Sequence, residues 1–332
     1  MRILVAGGAG FIGSAYVHRR LAAHPGDEVR VLDKLTYAGR TENLEGLSRD
    51  QVELVEGDIA DADMVSGAVE GCDAIVNFAA ESHVDRSIHS PGEFIQTDVF
   101  GAFVLLEAAR EKGIRDLQVS TDEVYGSIPS GSFTEASTLQ PSSPYSASKA
   151  GGDLIVRAYH HTYGADALVV RGSNNYGRRQ HPEKLIPLAI LNALAGDPIP
   201  VYGDGLQVRN WIFVDDFCAA IDVVLERGQA GEVYNAGGPD ELRNIDVVKA
   251  ILELTGRDES LIQQVSDRLG HDRRYSLSSD RLRELGWEPE VRFDAGLART
   301  VDWYRENERW WGPIRSGEYR DYYERQYGRA LS

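Results

Sequence analysis

The sequence predicts an α/β protein: a Rossmann-type, doubly wound parallel sheet followed by a smaller, mixed α/β C-terminal part. Three observations predict it. An apolar run at residues 2–6 leads directly into a glycine loop and a helical pattern. Five further short apolar runs alternate with helical segments as far as residue 172, and beyond that point the strict alternation is lost. At 332 residues the chain is long enough for a large core or for two domains of ordinary size. The expected division is residues 1–172 and 173–332, with a strand and helix near 211–227 returning to the first part.

Composition narrows the function. A formal net charge of −17 repels nucleic acid and anionic membrane over most of the surface, so neither is an expected partner and any anionic ligand needs a local basic pocket. Cys72 and Cys218, the only cysteines, both sit in apolar surroundings, which predicts reduced core thiols and a cytoplasmic protein. No metal-ligand spacing is present, so no metal is expected. Met1 runs straight into the first strand, leaving no room for a signal peptide. The longest apolar stretch, 185–195, contains Pro187 and Asn192 and is too short to span a bilayer.

The first run, Arg2-Ile3-Leu4-Val5-Ala6, reads as a parallel strand buried on both faces. Gly7-Gly8-Ala9-Gly10-Phe11-Ile12-Gly13 follows, and then a helical pattern to Leu21. Strand, glycine turn and helix bring bare backbone N–H groups and a helix N-terminus up to a pyrophosphate, although the spacing G-x-x-G-x-x-G only approximates the common fingerprint. A second strand, 29–32, ends at Asp33, 20 residues past Gly13. A carboxylate there accepts from an adenosine ribose and repels a 2′-phosphate, favouring NAD over NADP, while Lys34 beside it works against that preference. Strand 52–55 leads into Gly57-Asp58-Ile59, whose carboxylate is placed to meet the adenine. Strand 74–78 ends in Ala79-Ala80-Glu81-Ser82-His83, where small residues let a flat cofactor lie against backbone. His83 is either a substrate contact or a satisfied structural histidine, and the reading favours substrate. A long helix is expected over 91–112, opened by Pro91, with Thr97 on its first turns.

Strand 117–120 then delivers Ser120-Thr121-Asp122-Glu123-Val124-Tyr125-Gly126, two adjacent carboxylates where a strand leaves the sheet. Ligands bind at such strand ends. Position alone equally allows Asp122 to cap the next helix and Glu123 to be solvated. A further helix is expected to open at Pro144-Tyr145 and run to about Tyr163. Tyr145 and Lys149, four apart, share one face of it, and an ammonium near a phenol stabilises phenolate and tunes it as a general base.

The glycine loop, Ala79 to Ser87, Ser120 to Gly126, Tyr145 to Lys149, Ser173 to Gly177 and His181 to Pro187 together resemble the extended short-chain dehydrogenase/reductases and, within them, the dTDP-glucose 4,6-dehydratases. The Thr121-Asp122-Glu123 triplet points to dehydration, since the related 4-epimerases usually lack the acidic pair. The resemblance implies tightly bound NAD, regenerated each turnover, held by Gly7, Gly10, Phe11, Ile12, Gly13, Asp33, Lys34, Thr36, Asp58, Ile59, Phe78, Ala79, Ala80, Ser82, Thr97, Ser120, Tyr145, Lys149 and Asn175. For the nucleotide sugar it implies Ser82, His83, Thr121, Asp122, Glu123, Asn174, Lys184, Leu185, Pro200, Tyr202, Arg209, Asn235, Arg268 and His271. Among these, Lys184, Arg209 and the basic run 267–274 would meet the diphosphate, and Pro200 to Tyr202 the base. Without the resemblance, arginines on an acidic chain read as surface ion pairs.

The catalytic set implied is Thr121, Asp122, Glu123, Tyr145 and Lys149. Tyr145, assisted by Lys149, takes the C4 hydroxyl proton as C4 is oxidised, with Thr121 orienting the oxygen. Glu123 then removes the C5 proton and Asp122 protonates the departing C6 hydroxyl, so the two carboxyls need opposite protonation states. The resemblance also implies a homodimer through the helices near 91–112 and 145–163. Another nucleotide-sugar dehydratase or a 4-epimerase keeps the same fold and cofactor, and a non-catalytic NAD sensor keeps only the glycine loop. Leu269, Gly172 and Arg178 stand where the family usually has proline, cysteine and proline.

Overall fold

Alternate residues of the first strand, β1 (Arg2–Ala6), enter different hydrophobic cores. Ile3 and Val5 pack with Val31, Phe217 and Ile221, and Leu4 and Ala6 with Leu32, Ile75 and Leu105. Burial on both faces is why the run is continuously apolar, and it puts β1 in mid-sheet. The structure, a computed structural model, describes residues 1–316 and 318–328; residues 329–332, at the end of the expected second part, lie outside the described residues.

Around β1 lie β2 (Glu28–Asp33), β3 (Val52–Glu56), β4 (Ala74–Asn77), β5 (Arg115–Thr121) and β6 (Ala167–Gly172). Farther along come β7 (Asn174–Tyr176), β8 (Ile199–Tyr202), β9 (Val208–Phe213), β10 (Val233–Ala236), β11 (Asp240–Arg243) and β12 (Ile262–Val265). One sheet runs β10-β6-β5-β4-β1-β2-β3, with every neighbouring pair parallel. Strand order reverses between β1 and β4, so a crevice opens there above the strands' carboxyl ends. The other strands form two small sheets, β11-β9-β7 and β12-β8. These enclose a second core of Tyr176, Trp211, Phe213 and Phe293 with the Leu185–Ala195, Asn244–Thr255 and Phe293–Glu306 helices.

The segment near 211–227 divides. Its helix, Val214–Arg227, does return, packing Phe217, Cys218 and Ile221 into the core beneath the parallel sheet. Its strand, β9, belongs instead to the small sheet, paired with β7 and β11. The strand that rejoins the large sheet is β10, beside β6. One further correction is local. The helix over 91–112 is continuous but changes winding, with a π-helical stretch Ile95–Gly101 between α-helical Pro91–Phe94 and Ala102–Lys112. The helix opened by Pro144 runs to Tyr163 as expected, and Ser143 caps it with a capping box to Ser146.

Candidate active site

The glycine loop after β1 is shaped by steric necessity. Gly7 has φ +71°, and a Cβ there would lie 2.5 Å from Ala79 N; a Cβ on Gly13 would lie 2.2 Å from Gly7 O. No side chain caps the Phe11–Ala23 helix that follows, so its first-turn N–H groups are left without a side-chain partner, and Gly10 at its start lines the crevice. Asp33, at the end of β2, accepts from the N–H groups of Ala9 and Leu35, both at 2.9 Å. The loop thus fixes the carboxylate at the crevice floor, where burial raises its pKa. Lys34 is paired with Asp58 at 2.7 Å, which removes much of its cationic pull on an added phosphate.

These elements bound an open cleft of about 590 Å³. Of the residues expected to hold the dinucleotide, Gly7, Gly10, Asp33, Lys34, Thr36, Asp58, Ile59, Phe78, Ala79, Ala80 and Thr97 line it. Thr97 reaches it from the π-helical stretch, a winding often found at functional sites. Ala38, Gly39, Gly57 and Glu81 line it as well and were not anticipated. Gly57 directly follows the end of β3, a signal that was legible, and Glu81 lay inside a quoted motif without being assigned. Phe11 and Ile12 instead pack against the core under the sheet, and Gly13 serves loop closure. The bare backbone, uncapped helix and ribose-facing carboxylate fit a dinucleotide.

A second open cleft of about 910 Å³ lies between the large sheet and the C-terminal elements. It takes Ser82, His83, Glu123, Asn174, Lys184, Leu185, Pro200, Tyr202, Arg209, Arg268 and His271 from the expected set. Lys184 donates to Ser82 O at 2.6 Å, tying the two halves of the cleft together. Of the basic run, only Arg268 and His271 face the cleft, while Arg273 and Arg274 pair with Asp204 and Glu241, each at 2.8 Å, as ordinary ion pairs. Burial and the neighbouring Arg268 push His271 down to about 4, so near neutrality it is an uncharged partner of Asp267. His83 is buried at the start of the Val84–His89 helix, and burial lowers its pKa. Tyr202 donates to Asp85 and accepts from Gln326, both at 2.8 Å. Asp85, Glu183, Trp211 and Tyr327 also line it; Asp85 and Glu183 lie inside the quoted motifs, beside His83 and Lys184, without being assigned, whereas Trp211 and Tyr327 come into place only through tertiary packing.

Between the clefts stands the turn after β5. Thr121, not Asp122, caps the one-turn helix Asp122–Tyr125, accepting from Glu123 N–H at 3.3 Å. The adjacent carboxylates therefore diverge: Glu123 opens onto the second cleft, while Asp122 is 1% exposed and accepts from the Thr121 hydroxyl at 3.3 Å. Burial and the charge of Glu123 push Asp122 up to about 8. Thr121 is likewise buried behind Glu123 and lines neither cleft. Tyr145 approaches Thr121, and burial, with Glu123 and Asp98 nearby, raises the phenol well above its usual value. Lys149, expected to assist Tyr145, donates to Val119 O at 2.8 Å, and the charges closest to the phenol are carboxylates. Asn175 turns to Ser173 O, and Asn174 Oδ1 is buried with no hydrogen-bond partner among the described residues.

Asn235 departs from expectation. It is fully buried on β10, its side chain accepts from the Tyr125 hydroxyl at 2.8 Å, and it lines neither cleft. The three departures from the family pattern have structural settings. A Cβ on Gly172 would lie 2.6 Å from the Phe217 ring, Arg178 pairs with Asp215 at 2.8 Å, and Leu269 is 77% exposed.

Residues 4–300 match the family described as GDP-mannose 4,6 dehydratase. The chain is 50% identical over 323 residues to a dTDP-glucose 4,6-dehydratase of Streptomyces niveus, covering 95% of this chain and 96% of the relative. It is 53% identical over 306 residues to the low-salt glycan biosynthesis protein Agl12 of Haloferax volcanii, covering 92% and 98%. Among solved structures it resembles DesIV, a dTDP-glucose 4,6-dehydratase from Streptomyces venezuelae with NAD and TYD bound, at TM-score 0.93 and 54% identity, covering 95% of this chain and 100% of that one.

Proposed function

The chain belongs to the family described as GDP-mannose 4,6 dehydratase, and on that premise we propose that it acts as an NAD-dependent dTDP-glucose 4,6-dehydratase, a hydro-lyase of deoxysugar biosynthesis yielding dTDP-4-keto-6-deoxyglucose and water. The observation that carries the chemistry is the divergence of Asp122 and Glu123, one buried and pushed up to about 8, the other facing the second cleft. NAD, when bound, accepts the C4 hydrogen with its electrons and later returns them to C6. Residues 1–172, with the returning helix and β10, hold the cofactor through the glycine loop, Asp33 and the Phe78–Glu81 strand end. Residues 173–332 bind most of the nucleotide sugar.

Within that reading Tyr145 accepts the C4 hydroxyl proton, and Thr121 orients it. A phenol held so high by burial and by the neighbouring Glu123 and Asp98 ionises only when positive charge offsets them, and Lys149, four residues on along the same helix, would supply it. Glu123 takes the C5 proton, acidified by the C4 ketone, and gives a proton back to C5 as C6 is reduced. Asp122, protonated below about pH 8, supplies the proton for the departing C6 hydroxyl through Thr121 or after a small rotation of the turn. Arg209, Arg268 and Lys184 meet the diphosphate, and Leu185, Pro200 and Tyr202 the base.

The same reading assigns a homodimer. Ile95, Phe100, Phe103, Leu154 and Tyr163 form an exposed apolar stripe on the two adjacent helices, each at least 36% exposed. Among the described residues no helix is long and apolar enough to cross a membrane, and we assign the reaction to the cytoplasm.

The test is NMR of the products after mixing purified protein with dTDP-glucose in deuterated water without added NAD. A 4-keto-6-deoxy sugar carrying deuterium at C5 is expected, with Glu123→Gln stopping elimination while still allowing bound NAD to be reduced. Unchanged dTDP-glucose after NAD is supplied would redirect the assignment to another nucleotide sugar or to epimerisation.

A further inference from the structure

The turn bearing Asp122 and Glu123 ends at Tyr125, and what holds Tyr125 reaches the opposite half of the site. Its ring stacks on Phe133 with centroids 4.9 Å apart and planes 14° apart. Its hydroxyl receives Arg171 Nη1 at 2.6 Å and donates to Asn235 Oδ1 at 2.8 Å. The Arg171 guanidinium also lies over the same ring, 4.8 Å from its centroid. Arg171 is on β6, buried, and its Nε donates to Asp153 at 2.7 Å. Asp153 is on the Pro144–Tyr163 helix, four residues beyond Lys149 and eight beyond Tyr145, so all three share one helical stripe.

One buried guanidinium therefore bonds both to the helix carrying Tyr145 and Lys149 and to the turn carrying Asp122 and Glu123. A charge this deeply buried is costly unless paired, and replacing such a pair by apolar side chains commonly leaves stability unchanged or higher. Its place between the two halves of a site is therefore better explained by geometry than by stability. We propose that Arg171 and Tyr125 are positioning residues, which set the elimination carboxyls in register with the tyrosine and lysine that serve the oxidation.

The inference rests on the dehydratase reading above, because that reaction needs the same bound sugar to be oxidised at C4 by one half and deprotonated at C5 by the other. Neither residue touches either cleft, so both act through the groups they hold. An error of about 1 Å in such placement costs up to about a hundredfold in rate. The oxidising half keeps its own anchors, Lys149 on Val119 O and Ser148 on Asp98 at 2.6 Å, whereas the carboxyl-bearing turn has Tyr125 as its far anchor. Loosening the network thus displaces the turn rather than the helix.

The test is Tyr125→Phe, which keeps the ring and its stack and removes only the hydroxyl. In the second variant, Arg171→Met with Asp153→Leu, the ion pair is replaced without leaving a lone buried charge. Three readouts are taken with dTDP-glucose: the rate at which bound NADH appears, the rate of product formation with C5 deuterium, and a crystal structure of each variant. In both variants NADH is expected to appear within about twofold of the wild-type rate and product to form about tenfold more slowly, so that reduced cofactor accumulates. The turn 122–125 should also sit displaced from the Pro144–Tyr163 helix. Equal slowing of both halves, or unchanged rates, would overturn the proposal. If the wild type itself does not reduce its NAD with dTDP-glucose, the reaction assignment fails, and the crystal structures then decide the positioning role: a displaced turn supports it and an unmoved turn overturns it.

Discussion

Two carboxylates one residue apart behave differently because the turn after β5 sends one inward and one outward. Burial and the adjacent Glu123 charge raise Asp122 to about 8, so it is a neutral acid below that pH and loses its proton above it. The elimination rate should therefore show an alkaline limb near pH 8, measured as kcat/KM from pH 6 to 10; a profile flat to pH 10 would remove Asp122 as the proton donor. Asp116 offers a contrast, being equally buried but at the amino end of β5, where no ligand is expected. Its carboxyl oxygens have no hydrogen-bond partner among the described residues, and burial pushes it up to about 7. A folded pKa raised above the unfolded one means stability is fullest below about pH 4 and declines as pH rises towards 7. Asp116→Asn should then be more stable than the parent by about 4 kcal/mol at pH 8, with the gap closing near pH 4. Denaturant titrations at the two pH values measure it, and a pH-independent gap would contradict the ionisation account.

Elements show where a single residue determines how two surfaces approach. Gly172 closes β6, and the Phe217 ring of the returning helix occupies the space a side chain would need. Gly172→Ala should therefore destabilise the protein by about 1–3 kcal/mol, the range for forcing extra volume into a packed core. The check is a urea midpoint lowered at unchanged slope, and an unaltered midpoint would mean that Phe217 moves aside freely. That contact was hidden in the sequence, where Gly172 registered only as a departure from a family that often has cysteine. The helices were easier to read. Pro91 and Pro144 mark helix starts by their own backbone chemistry. The π-helical winding over Ile95–Gly101 was not legible, because a shift from i→i−4 to i→i−5 bonding leaves no compositional mark.

At the scale of the whole molecule, the exposed stripe on the helices over 91–112 and 144–163 should pair with its copy. Leu154, 54% exposed at the middle of the second helix, is the residue to change: Leu154→Asp should convert a dimer to a monomer in sedimentation velocity, and a wild type that sediments as a monomer would refute the assignment. The large sheet was readable because parallel strands buried on both faces must be continuously apolar and their crossovers helical, so the fold class followed from alternation. The glycine loop, Asp33 and the Tyr145–Lys149 pair were readable for a similar reason, since each depends on neighbours within a few residues. Tertiary structure alone decided the rest. It sent β9 to the small sheet and β10 to the large one, and drew Asn235 into the core beside Tyr125 instead of the cleft. It also brought Asp85, Glu183, Trp211 and Tyr327 together from distant parts of the chain. Local chemistry acts over a turn or a strand and is written in adjacent residues; protonation states and cleft walls depend on which distant surfaces exclude water from them, and that is decided only when the chain has packed.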